Sequence, residues 1–138
     1  MTDIDIALYE LTESYQELQQ RTGAAPFVVS RESIVPPNTK LRAPSGHHEN
    51  EQACVVDADV QKVKEYVWAL GPLMRLSGCI FIGGASGSPL ISENTGQVVG
   101  VVNTFFSASD QPCSLMNPCE VDANGRSSVR SKSTSYGQ

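Results

Sequence analysis

The sequence predicts an all-β domain with one short helix. Two short apolar runs, Cys79-Ile80-Phe81-Ile82 and Val98-Val99-Gly100-Val101-Val102, flank a stretch of glycine, serine and proline. Runs of that length bounded by turn formers read as buried strands. Shorter runs at 27–29 and 33–35 are punctuated by prolines and read the same way. The clearest helical spacing is confined to one segment, 57–70. At 138 residues the chain is one domain, long enough to bury a core.

Taken in order, residues 6–22 place Leu8, Leu11, Tyr15 and Leu18 at helical spacing, and Gly23 would stop such a helix. Residues 24–53 hold four prolines and much Ser, Asn and Glu, and a long surface loop is expected around 44–52. His47 and His48 lie in that loop. Nothing near them completes a metal-ligand set, so they read as a solvated pair. In segment 57–70, Asp57 or Asp59 can cap a helix, Val60, Val63, Val67 and Leu70 share a face, and Gly71-Pro72 ends it. Trp68 reads as core. Residues 72–82 then read as strands leading into the glycine-serine turn.

Charge and cysteine content narrow the function. The net charge of −5 is spread along the chain without a basic stripe, which argues against nucleic acid and against an anionic membrane as partners. No apolar run is long enough to cross a bilayer. Residues 1–5 carry no basic or apolar leader, so no signal peptide is expected. Cys54, Cys79, Cys113 and Cys119 allow three disulfide pairings. Cys54 and Cys79 bracket the expected helix and could pair, and Cys113 and Cys119 could close a small loop. A four-cysteine zinc site is the alternative, but there is no C-x2-C unit. No cofactor or metal is expected.

The chemistry sits in Gly83-Gly84-Ala85-Ser86-Gly87-Ser88-Pro89-Leu90. Glycines before and after a serine free the backbone, and proline fixes the exit. Such a corner can present a hydroxyl beside bare N–H groups. Acyl transfer to serine needs both, a nucleophile and donors for the oxyanion. An α/β-hydrolase elbow needs G-x-S-x-G, and Ser88 stands where its last glycine would be.

The stretch resembles the G-D-S-G-G-P motif of chymotrypsin-like (trypsin-type) serine endopeptidases. Its Ser88-Pro89 ending is similar to the glutamyl-endopeptidase branch of bacterial secreted proteases. Asp5-Ile6-Ala7-Leu8 resembles the start of the strand that carries the family's triad aspartate. Residues 98–106 resemble its G-I-V-S-W-G strand, and residues 133–137 its late pocket-wall strand. The family's closing C-terminal helix has no counterpart.

The resemblance implies an antiparallel β-barrel of the chymotrypsin-like type, the C-terminal barrel, with one short helix before the serine strand. Residues 1–138 would be the aspartate strand plus that barrel. It implies Asp5 and Ser86 as catalytic residues and the N–H groups of Gly84 and Ser86 as the oxyanion hole. Asn103, Thr104 and Phe105 would line the side where a polypeptide substrate adds as a strand. Ala85 replaces the aspartate that captures a new N-terminal amine in zymogen-activated relatives, so that route is not expected. Ile80 stands where trypsin has its pocket acid, so nothing at that position favours Arg or Lys.

In the family, histidine precedes aspartate and belongs to the other barrel, whereas His47 and His48 follow Asp5. The expectation is a serine endopeptidase fragment, secreted at full length, whose first barrel and histidine lie before Met1. Such a chain would be inactive alone and would expose the face that meets the missing barrel. The alternative is a non-catalytic pseudo-protease, a β-barrel that binds peptides.

Overall fold

A computed structural model describes residues 2–45, 51–106, 111–130 and 134–138. The elements in chain order are β1 (Thr2–Asp3), α1 (Tyr15–Thr22), β2 (Lys40–Ala43), β3 (Gln52–Val60), β4 (Val63–Glu65), β5 (Trp68–Leu70), β6 (Leu73–Ser77), β7 (Pro89–Ser92), β8 (Val98–Phe105), β9 (Cys119–Val121), β10 (Ser127–Val129) and β11 (Ser135–Gly137). Six of them close an antiparallel barrel in the order β11-β6-β3-β2-β7-β8. The other five strands form a second sheet, β1-β5-β4-β9-β10. The expected all-β barrel with one short helix is the observed architecture.

Alternation fills the barrel. Leu41, Val56, Leu76, Leu90 and Val102, one each from β2, β3, β6, β7 and β8, are fully buried or nearly so. Each such side chain contributes about 1.5–3 kcal/mol on leaving water. Tyr136 of β11 packs with Val60, Val63 and Leu73 in a neighbouring cluster. Its hydroxyl donates to buried Glu120, which also receives Arg75 and Arg130. Burial, and then the Glu120 carboxylate, hold that hydroxyl protonated well above the usual tyrosine range.

Helix α1 lies where only half of the 6–22 pattern reached. Ser14 caps it, and Glu17 reaches back to the Ser14 N–H at 2.8 Å, a reciprocal box that starts the helix there. Gly23 ends it in a left-handed turn, as expected. The helix buries no residue, so its caps rather than packing define it.

The helix expected at 57–70 is absent, and the segment forms the end of β3 and the β4–β5 hairpin. It is rich in valine, whose branched side chain suits a pleated strand better than a helix. Val60 and Val63 do share a buried face, but Val67 is exposed and Trp68 is 39% exposed rather than core. Strand β2 went unread in the sequence. Of the runs at 27–29 and 33–35, the first gives a single bridge from Val29 to Val98, and the second gives no strand. In 72–82 only β6 is a strand. Beyond it the chain alternates, with Cys79 and Phe81 inward and Ile80 and Ile82 outward.

Both disulfides form, Cys54–Cys79 and Cys113–Cys119, so these cysteines hold no zinc. The first staples β3 to the strand-like lead into the serine turn, not to a helix. The second closes the loop whose Cys113 carbonyl accepts from Tyr66 at the hairpin tip, at 2.7 Å.

Gly100 of β8 faces a tight point of the barrel, where backbone comes close. A Cβ there would stand 2.6 Å from Met74 Cε and 2.7 Å from the Gln138 carbonyl oxygen. Backbone cannot yield as a side-chain tip can. Gly100→Ala is expected to lower stability by about 1–3 kcal/mol, read as a lower denaturant midpoint. An unchanged midpoint would contradict this packing.

Candidate active site

Two consecutive turns shape the serine corner. The Ala85 N–H donates to the Ile82 carbonyl, and the Ser88 N–H to the Ala85 carbonyl, both at 3.0 Å. Gly84 and Gly87 take the third position of each, with φ of 94° and 81°. A side chain would be strained at either. The corner is anchored to β8, since the Gly87 N–H donates to the Val102 carbonyl and the Val102 N–H to the Ser88 carbonyl, both at 2.8 Å. Between the two turns Ala85 points inward and is fully buried in the main core. Ser86, next in the chain, is exposed.

The Ser86 hydroxyl donates to the Asn103 carbonyl at 3.4 Å. Among the described residues, neither the Gly84 N–H nor the Ser86 N–H has an acceptor. The corner therefore combines an exposed serine with two unspent donors in the same short loop.

Asp5 comes to the same strand. Its N–H donates to Gln138 Oε1 at 2.9 Å, and Asn103 Nδ2 reaches that oxygen at 3.4 Å. Gln138 is held by two backbone bonds with Val101, at 2.9 and 2.7 Å. Hydrogen bonds thus run from Ser86 through Asn103 and Gln138 to Asp5. Asp5 and Asn103 also line one pocket of about 440 Å³, walled by Trp68, Leu70 and Leu115, with Glu65 on one side. The Asp5 residue is exposed.

The three residues expected on the substrate side separate. Asn103 is half-buried beside Ser86. Thr104 is buried, and its hydroxyl donates to Glu65 Oε2 at 2.8 Å. Phe105 is buried in the core against Phe81, with ring centroids 6.2 Å apart. Ile80 is outward and exposed. His47 and His48 lie outside the described residues, as does Ser133 of the expected pocket-wall strand; Ser135–Gly137 of that strand is β11. Sequence reasoning missed Gln138, the residue just past the expected pocket-wall strand, and Glu65, hidden in a segment read as helix.

The family of the trypsin-like peptidase domain matches residues 1–101, a span that holds both Asp5 and the complete serine corner. The chain belongs to that family. No curated protein and no solved structure matches it. As a trypsin-like peptidase domain it carries a peptidase-type scaffold, and Ala85 is one of its departures at the corner, with Ser88 the other. Packing seats the loop, and among the described residues no ion pair holds it. Ala85→Asp would bury a carboxylate among the apolar side chains of the core, at an expected cost of about 3–5 kcal/mol. Denaturant unfolding measures this, and an unchanged midpoint would show that Ala85 does not anchor the corner.

Proposed function

We propose that the protein is a serine endopeptidase and that Ser86 is its nucleophile. The observation that carries this is the exposed Ser86 hydroxyl on a corner with two unspent N–H donors. Ser86 Oγ attacks the scissile carbonyl carbon while an imidazole takes its proton. Charge develops on the carbonyl oxygen, and the Gly84 and Ser86 N–H groups receive it. Asp5 fixes the imidazole's tautomer and stabilises the imidazolium, which then protonates the leaving amine as the C–N bond breaks. Water repeats the attack on the acyl-enzyme and frees Ser86. The Ser88-Pro89 exit supports a place near the glutamyl-endopeptidase branch, on the likeness of the turn alone.

The imidazole, on this reading, comes from a first barrel that precedes the aspartate strand. The exposed apolar run around Asp5 supports it: Ile4, Leu8, Tyr9 and Leu11 are 65%, 94%, 85% and 63% accessible. Apolar surface of that kind marks a contact face. Two disulfides fit a secreted protein folded in an oxidising compartment.

Steady-state peptide hydrolysis by the protein joined to its imidazole-bearing barrel tests the proposal. Ser86→Ala is expected to lower kcat about a million-fold with KM little changed. Asp5→Asn is expected to lower it about ten-thousand-fold. Hydrolysis that survives Ser86→Ala would refute the assignment, and peptide binding without hydrolysis would make the protein a non-catalytic peptide-binding barrel.

A further inference from the structure

A cavity of about 710 Å³ lies where the barrel meets the second sheet. Residues of β3 and β6 line it from the barrel, and residues of β9 and the β9–β10 hairpin line it from the second sheet. It shares no residue with the serine corner or with the pocket beside Asp5. Glu120 is buried among its lining residues and carries two guanidinium groups, Arg75 at 2.8 Å and Arg130 at 2.7 Å.

In this cavity the acceptors are engaged and the cations are not. Glu120 Oε1 receives Arg75 and the Tyr136 hydroxyl, and Oε2 receives Arg75 and Arg130. Those bonds fill the roughly four lone-pair sites of a carboxylate. Asp122 Oδ1 takes the Asn124 and Arg126 N–H groups, and its Oδ2 takes Arg126 Nε. Asp59 has no described partner, but it is exposed, so water and salt screen it.

The cations keep donors in reserve. Arg75 turns only Nη1 to Glu120, so its Nε and Nη2 have no described acceptor. Arg130 turns Nε and Nη2 to Glu120, which leaves Nη1. Lys62 also lines the cavity, and no described acid pairs with it. One carboxylate balances one guanidinium, and Arg126 balances Asp122. Positive charge with free N–H groups is therefore left over. Arg75 and Arg130 remain reachable, with 23% and 50% of their side chains accessible. A guanidinium fork matches two oxygens of an oxyanion at once.

We propose that this cavity binds a small oxyanion, a carboxylate or a phosphate, through Arg75, Arg130 and Lys62. Arg75 belongs to β6 of the barrel, Arg130 follows β10 of the second sheet, and Lys62 stands between β3 and β4. One bound ion therefore ties the two sheets together. The site is an effector site and does not depend on the assignment of Ser86.

The test titrates the 138-residue chain by calorimetry, at fixed ionic strength, with inorganic phosphate and separately with succinate. Saturable binding of at least one is expected, and the thermal unfolding midpoint should rise with its concentration. The more tightly bound of the two tells phosphate from carboxylate. Arg130→Gln leaves Arg75 on Glu120 and should weaken binding at least about tenfold. Lys62→Gln removes an exposed ammonium with no described partner, so it should fold unchanged and weaken binding several-fold. No saturable binding of either ion would overturn the proposal, as would an equal midpoint rise in sodium chloride at the same ionic strength. Binding that stays unchanged in folded Arg130→Gln and in Lys62→Gln would mark an adventitious ion only, and would overturn it too.

Discussion

A methyl group with no exposed area holds the serine corner in place. Ala85 sits in the barrel core between two turns, and the next residue is forced outward. The turn on each side needs a glycine with positive φ, and the second turn is bonded into β8. Core packing therefore fixes the direction of the Ser86 side chain. Preorganisation of this kind matters because donors already in place need not reorganise when charge develops.

Strand β8 then links the parts. Its Val102 carries the corner, its Asn103 accepts from Ser86, and its Val101 holds Gln138, which receives Asp5. Thr104, next along the strand, turns to Glu65. Ser86, Asp5 and the pocket are thus referred to one strand inside a closed barrel, whose interior has little slack. Gly100 lies on the same strand where β8 meets the Gln138 carbonyl, so the backbone approach that seats Gln138 also depends on the missing side chain.

The serine corner was legible from sequence because its signal is local. Glycines at fixed offsets from Ser86, followed by proline, dictate the turns whatever surrounds them. The same holds for the α1 caps, Ser14, Glu17 and Gly23. Segment 57–70 misled because Val60 and Val63 satisfy a helix face and a strand face alike, and only pairing with β6 and β9 decides between them. The link from Asp5 to β8 could not be read, because it runs through Gln138, 133 positions away from Asp5 in the chain. Glu65 was invisible for the same reason: its partner Thr104 lies on another strand, and nothing local marks a buried acid.

The central claim is that Ser86, on this corner, is the group that becomes acylated. Covalent labelling tests it most directly. The protein joined to the first barrel proposed to bear the imidazole is treated with a fluorophosphonate, digested, and mapped by mass spectrometry. The account predicts one adduct, on Ser86, lost in Ser86→Ala. An adduct on any other residue, or peptidase activity that continues with Ser86 unmodified, would contradict it.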